Sequence, residues 1–234
     1  LLNNWEGARV AYTNVINRNP NSVLLSKCYM KLAAIDYNMG NKEKSIESYK
    51  TVIQKFPKSA EAGESVEALR DIYVELGRVS EFVDFTKKNS SVIITSLAQD
   101  SLMYQSAEMA YELEDCSRAI RLYSDYLEKF SSGLFANEAH WYKADCSVKA
   151  KDFKNAYTDY EAIIKNKYSK FYERAVLKAS GIAYYEFSDY SIASGLYKQL
   201  YAASTSAQNT YTAMIGLLRT AVKLNNPTET IEYA

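Results

Sequence analysis

Asp152-Phe153-Lys154-Asn155-Ala156-Tyr157-Thr158-Asp159-Tyr160-Glu161-Ala162-Ile163-Ile164 sets Ala156, Tyr160 and the Ile163–Ile164 pair at steps of four, three and one. That spacing lines one face of a helix. Alone it is an amphipathic helix, but the same pattern returns every 37 residues in both directions. The small pivot position falls on Ala8, Ser45, Phe82, Ala119, Ala156, Ala193 and Thr230. Four residues later stand Tyr12, Tyr49, Thr86, Tyr123, Tyr160, Tyr197 and Ala234. Seven after the pivot come Val15, Val52, Asn89, Tyr126, Ile163 and Leu200. A fixed period in roughly the 20–50 residue range marks a solenoid, whose units bury their apolar faces only against their neighbours.

Each period reads as two helices. The turn between them is Met39-Gly40-Asn41 and then Leu76-Gly77-Arg78, with equivalents at Glu114-Asp115, Lys151-Asp152, Ser188-Asp189 and Asn225-Asn226. Gly and Asn tolerate a left-handed helix stop, and Asp or Asn can cap the helix that follows. The second helix closes at Asn19-Pro20-Asn21-Ser22, Phe56-Pro57-Lys58-Ser59 and Phe130-Ser131-Ser132-Gly133, where Pro forbids continuation. The expected organisation is all-α, one α-solenoid of antiparallel helical hairpins over 1–234. It comprises a partial unit 1–21, full units 22–59, 60–96, 97–133, 134–170 and 171–206, and a partial unit 207–234. The unit 60–96 departs from the pattern, with Arg70 and Phe82 at the small positions and Thr86 and Asn89 in the stripe. Its second helix is expected to end near Lys88, with Phe82 and Phe85 repacked into the core.

Composition narrows the function classes. The net charge is zero, from 28 basic and 28 acidic residues, so the basic excess of a nucleic-acid binder is missing. No apolar run approaches the roughly 20 residues that span a bilayer. The chain starts at Leu1 without Met and stops inside a helical pattern at Ala234, which reads as an excerpt of a longer protein. Leu1 and Leu2 before an unpaired helix, and a truncated last unit, are expected to give end-to-end self-association. Cys28, Cys116 and Cys146 read as three small buried hydrophobes, and no spacing supports a Cys116–Cys146 bridge. The sole histidine, His140, reads as a helix-surface or groove residue with no second His at metal-ligand spacing. Gly-rich phosphate loops, G-x-S-x-G, H-E-x-x-H and calcium loops do not occur, so the expectation is no enzyme, cofactor or metal. Asn89-Ser90-Ser91 is a weak acceptor sequon.

The units resemble tetratricopeptide repeats over essentially the whole chain. The small residue near the middle of the first helix is Ala33, Ala107, Ala144 and Gly181; the second is the pivot Ala119, Ala156 and Ala193. Tyr123, Tyr160 and Tyr197 follow four later, and Pro20 and Pro57 close units. A period of 37 rather than about 34, with the Phe-Pro-Lys-Ser closure, is similar to bacterial envelope members of the family, of the outer-membrane assembly lipoprotein and Tol–Pal coordinator types. The resemblance implies a periplasmic or outer-membrane-associated scaffold that binds protein or peptide segments in a concave groove lined by first helices.

Carried over unit by unit, that groove holds Glu64, Glu67, Asp71, Tyr104, Glu108, Tyr111, Glu138, Trp141, Asp145 and Tyr185. The Lys/Arg/Asn set that clamps a partner's C-terminal carboxylates in some members is absent as a set. Acids beside aromatics suit a partner segment carrying Lys or Arg beside apolar residues. An alternative from a different class is a carbohydrate-stacking surface built from the 21 tyrosines and 2 tryptophans. Exposure of coplanar rings would favour it, and burial of the pivot-helix tyrosines would favour the scaffold.

Overall fold

A computed structural model describes residues 4–89 and 92–234. Among the described residues the chain is helical throughout, without a strand. The helices are α1 (Trp5–Arg18), α2 (Leu25–Asn38), α3 (Lys42–Lys55), α4 (Ala60–Leu76), α5 (Val79–Asn89), α6 (Ser96–Glu112), α7 (Cys116–Lys129), α8 (Ala136–Lys149), α9 (Phe153–Ile164), α10 (Tyr172–Tyr185), α11 (Tyr190–Ala203), α12 (Ala207–Lys223) and α13 (Pro227–Glu232). Leu1, Leu2, Ser90 and Ser91 lie outside the described residues, and with them the expected end contact and the sequon.

The turn inside each hairpin explains why the period is visible. Gly40 (φ 80°), Gly77 (φ 74°), Glu114 (φ 58°), Lys151 (φ 60°), Ser188 (φ 54°) and Asn225 (φ 51°) are all left-handed. The N–H that follows folds back to a carbonyl of the last turn: Asn41 to Asp36, Arg78 to Tyr73, Asp115 to Ala110, Asp152 to Ser147 and Asn226 to Ala221. This closure satisfies carbonyls that the helix end would leave bare. In the last four turns the same residue then caps the second helix. Asp115, Asp152, Asp189 and Asn226 accept from the backbone N–H of Arg118, Asn155, Ile192 and Glu229. In those four periods a left-handed stop and a carboxylate or amide cap thus fall on consecutive residues.

The chain divides into two compact units, residues 1–106 and 107–234. In the first, α1 to α5 each pack on the next, and the first helices α2 and α4 also touch. Its core gathers Ala33, Tyr49, Ile53, Leu69, Tyr73 and Phe82. The aberrant repeat is compensated there. Phe82 is buried against Tyr73, with ring centroids 6.2 Å apart, and buried Thr86 satisfies its hydroxyl on the Val83 carbonyl at 3.0 Å. Lys50 lies over the half-buried Phe85 ring at 5.1 Å.

The second unit repeats the plan, with α10 touching α12. Ala144, Ala156, Ala193, Tyr160 and Tyr197 sit in one core cluster, and the three pivots Ala119, Ala156 and Ala193 are fully buried. Gly181 corrects the expectation of close approach at every small position. It is only half-buried, and a Cβ there would meet nothing within 4 Å. The tight contact lies instead at Gly216, where a Cβ would stand 2.6 Å from the Tyr197 ring.

Two further links hold this unit. Cys116 at the start of α7 and Cys146 late in α8 form a disulfide, with Cα atoms 5.1 Å apart. This overturns the reading of three free thiols, and only Cys28 stays free and buried. Antiparallel packing of α7 on α8 brings the two ends together, although 30 residues of sequence separate them. His140 is likewise not a plain surface residue. Its Nδ1 is 2.8 Å from Oδ1 of buried Asp159, which also receives Lys143 Nζ at 3.2 Å, tying α8 to α9.

Candidate partner-binding site

The first-helix face of unit 1 is acidic. Glu64, Glu67 and Asp71 recur along α4 at steps of three and four, and all three are exposed. Arg70 binds two of them: its guanidinium donates to Glu67, and Nη2 reaches Asp71 Oδ1 at 2.9 Å. Glu64 has no partner among the described residues. Tyr37 on α2 is 38% exposed, and its hydroxyl donates to Glu75 Oε2 at 2.8 Å. Lys42 Nζ takes the other Glu75 oxygen at 2.5 Å. The bond to Glu75 is the main reason that the Tyr37 hydroxyl is held above its ordinary pKa.

In unit 2 two of the three expected acids, Asp145 and Glu138, already have internal cations. Asp145 accepts from the Tyr111 hydroxyl at 3.0 Å and pairs with Lys149 at 2.9 Å, while Lys149 lies over the Tyr111 ring at 5.1 Å. Burial first, and then the bond to Asp145, push the Tyr111 pKa up. Glu138 pairs with Lys170 at 2.8 Å, and Glu108 is half-buried. Tyr185 is 62% exposed, and its oxygen accepts from Arg219 Nη1 at 3.0 Å.

Two of the expected aromatic anchors lie in the interior. Tyr104 and Trp141 are 7% and 6% exposed. Trp141 stacks on Phe171 at 5.2 Å with planes 13° apart, and Arg174 stands over its ring at 4.2 Å. Truncating either would damage packing and leave little to learn about a partner. The pivot-helix tyrosines Tyr49, Tyr123, Tyr160 and Tyr197 are core as well, which favours the scaffold over a sugar-stacking platform.

The structure also shows a regularity across repeats. Tyr37, Tyr111 and Tyr185 are two periods apart, and each hydroxyl meets a charged side chain on the following first helix: Glu75 on α4, Asp145 on α8 and Arg219 on α12. Val74, Val148 and Val222 occupy the alternate repeats. The alternation of Tyr and Val was the signal available in the sequence. The identity of the charged partner was not, because it depends on how far one helix slides along the next.

Among the described residues no group of three or more His, Cys, Asp or Glu could hold a metal ion. No helix among them is long and apolar enough to cross a membrane.

Paired helices, left-handed stops and buried small pivots define an all-α helical-repeat fold of the solenoid class. Residues 27–59 and 104–168 match models of the tetratricopeptide repeat family, so the chain carries tetratricopeptide repeats over those segments. No curated protein sequence matches it. Solved structures similar to it include YrrB, described as a TPR protein with an unusual peptide-binding site, at 15% identity over 87% of this chain and 97% of that one (TM-score 0.40). PilF of Pseudomonas aeruginosa is 14% identical over 88% and 87% of the two chains (TM-score 0.40). PilW, described as a widely conserved type IV pilus biogenesis factor, is 14% identical over 91% of each (TM-score 0.41). Repeats of this kind imply a protein–protein interaction scaffold.

Proposed function

We propose that the chain is a non-catalytic scaffold of an oxidising compartment, such as the bacterial envelope. In this reading it holds a partner segment carrying Lys or Arg beside apolar residues on the first-helix face of unit 1. The observation that carries the reading is the run of exposed carboxylates Glu64, Glu67 and Asp71 on α4, flanked by the fixed ring of Tyr37 on the adjoining α2. Complementary charge would steer and orient the segment, and the aromatic edge would anchor it. The Cys116–Cys146 bridge supports the compartment, since disulfides persist where thiols are not kept reduced.

The test is fluorescence anisotropy with a labelled twelve-residue peptide alternating Lys with Leu or Tyr. Binding is expected to weaken about 10-fold in Glu64→Lys/Asp71→Lys and to fall with added salt. Glu47→Lys, a reversal on the exposed side of α3, should leave it unchanged. Equal affinity across all three proteins would remove the α4 face from consideration. For the compartment, alkylation of native protein without reductant should label neither Cys116 nor Cys146.

A further inference from the structure

Unit 2 contains a cavity of about 840 Å³ where the α9–α10 loop, the first turn of α10, the end of α11 and the first turn of α12 meet. Three cations, Lys167, Lys170 and Arg174, line it against one carboxylate, Glu173. That carboxylate is fully engaged. It accepts from Asn209 Nδ2 and Ser204 Oγ at 3.0 Å each, and from the Thr205 backbone N–H and hydroxyl at 3.2 and 3.4 Å. These donors, led by Asn209, hold its pKa below the ordinary value. Lys170 is shared with Glu138, whereas Lys167 and Arg174 make no ion pair among the described residues.

Arg174 is the organised element. Its guanidinium lies over Trp141, which is itself stacked on Phe171, so an aromatic pile sets its plane. The N–H edge has no carboxylate partner, and a planar fork fixed in this way meets a carboxylate through two parallel bonds. α10 starts at this point without a side-chain cap, which adds positive partial charge. Gln199, exposed on the cavity wall, has no hydrogen-bond partner among the described residues and can both donate to and accept from a peptide backbone.

We propose that this cavity binds an acidic segment of a partner protein, with one carboxylate on the Arg174 fork, a second on Lys167 and backbone amides on Gln199. The site is distinct from the α4 face and takes the opposite charge. It rests on the scaffold reading only in that its ligand is a protein segment.

The probe is a random peptide display library selected on the intact chain, followed by titration of the selected peptides. Trp141 emission in a Trp5→Phe background is the reporter, because Trp5 and Trp141 are the two tryptophans. Expected are peptides enriched in paired Asp and Glu, a change in Trp141 emission as Arg174 shifts from the ring, and an affinity loss of about 10-fold or more in Lys167→Gln. Arg174→Lys, which keeps the charge without the fork, should lose nearly as much. Lys167 is exposed in a loop, so its variant reads binding even if substitution at Arg174 disturbs Trp141. An empty selection, peptides without acidic enrichment, or affinities indifferent to Lys167→Gln would overturn the proposal. So would inorganic phosphate at matched ionic strength reproducing the emission change and displacing the peptide completely. Glu64→Lys/Asp71→Lys leaves this cavity intact, so the two readings fail separately.

Discussion

Gly216 and Gly181 carry opposite expectations for the same substitution. Replacing a helix-interior Gly by Ala gains about 0.8–1.0 kcal/mol from backbone propensity. At Gly181 nothing lies within 4 Å of the new methyl, so Gly181→Ala should realise that gain in full. At Gly216 the methyl would stand 2.6 Å from Cγ, Cδ1 and Cε1 of Tyr197. Those atoms belong to a ring that is 6% exposed and lies in the core cluster with Ala193 and Leu217, so it has little room to swing away. Overpacking of this kind costs about 1–3 kcal/mol, which equals or outweighs the propensity gain. Gly216→Ala should therefore be neutral to about 2 kcal/mol destabilised, and the two variants should differ by about 1–3 kcal/mol. Urea unfolding followed by far-UV circular dichroism resolves that gap, and on the thermal scale about 1 kcal/mol is worth roughly 2–4 °C. Adding Tyr197→Leu should make Gly216→Ala far less harmful, a non-additivity expected only of touching residues. If Gly216→Ala proved as stabilising as Gly181→Ala, the contact between α11 and α12 would not be the tight seam described.

Three other outcomes follow from the hairpin geometry and the charges. Lys151 sits at φ 60°, where an L-residue is strained by about 1–2 kcal/mol against about 0.5–1 kcal/mol of extra entropy lost by Gly; Lys151→Gly should raise the thermal midpoint, and a fall would contradict the left-handed stop. Reduction of Cys116–Cys146, or Cys116→Ser with Cys146→Ser, should lower stability by about 3–4 kcal/mol for a 30-residue loop on the chain-entropy account; midpoints unchanged by reductant would argue against the bridge. Glu173 has a folded pKa below its unfolded one, so its contribution is complete above the unfolded value and disappears as pH falls through the folded value. Thermal midpoints measured from neutral to acid pH should consequently fall further in the wild type than in Glu173→Gln, and parallel curves would show that its four bonds do not matter.

The hairpins were readable because their chemistry is local. A left-handed stop followed by a capping Asp or Asn involves adjacent residues, and Ala119, Ala156 and Ala193 are small because two backbones meet there. The face presented to a partner was less readable, and Trp141 shows why. It occupies the same register as Glu67 and Lys178, yet those two are exposed and Trp141 is buried. Backbone register fixes where a side chain starts. Whether it then lies outward or folds onto the next repeat depends on what that repeat offers, here the Phe171 ring. The disulfide had no support in the sequence for a related reason. A sequence separation of 30 between cysteines carries no motif, and only the antiparallel return of α8 along α7 brings them together.

The Tyr-to-charge contacts bear on how such a surface binds at all. A free Tyr or Glu on a helix face must be immobilised when a partner arrives, which costs about 0.5–1.5 kcal/mol for each rotamer-rich side chain. Tyr37, Tyr111 and Tyr185 are already fixed, each by a bond of 2.8–3.0 Å to the next first helix. The same holds in the cavity, where the aromatic pile positions Arg174. Fixing also has an electrostatic side. Asp145 and Glu138 spend their charge on Lys149 and Lys170, so they shape the face without lending it a field. On the two faces proposed to take a partner, Glu64 on α4 and Lys167 and Arg174 at the cavity have no internal counterion among the described residues, while Glu67 and Asp71 share one, Arg70. Selectivity in this scaffold should therefore follow those few residues more closely than the larger number of charges that a repeat-by-repeat census would count.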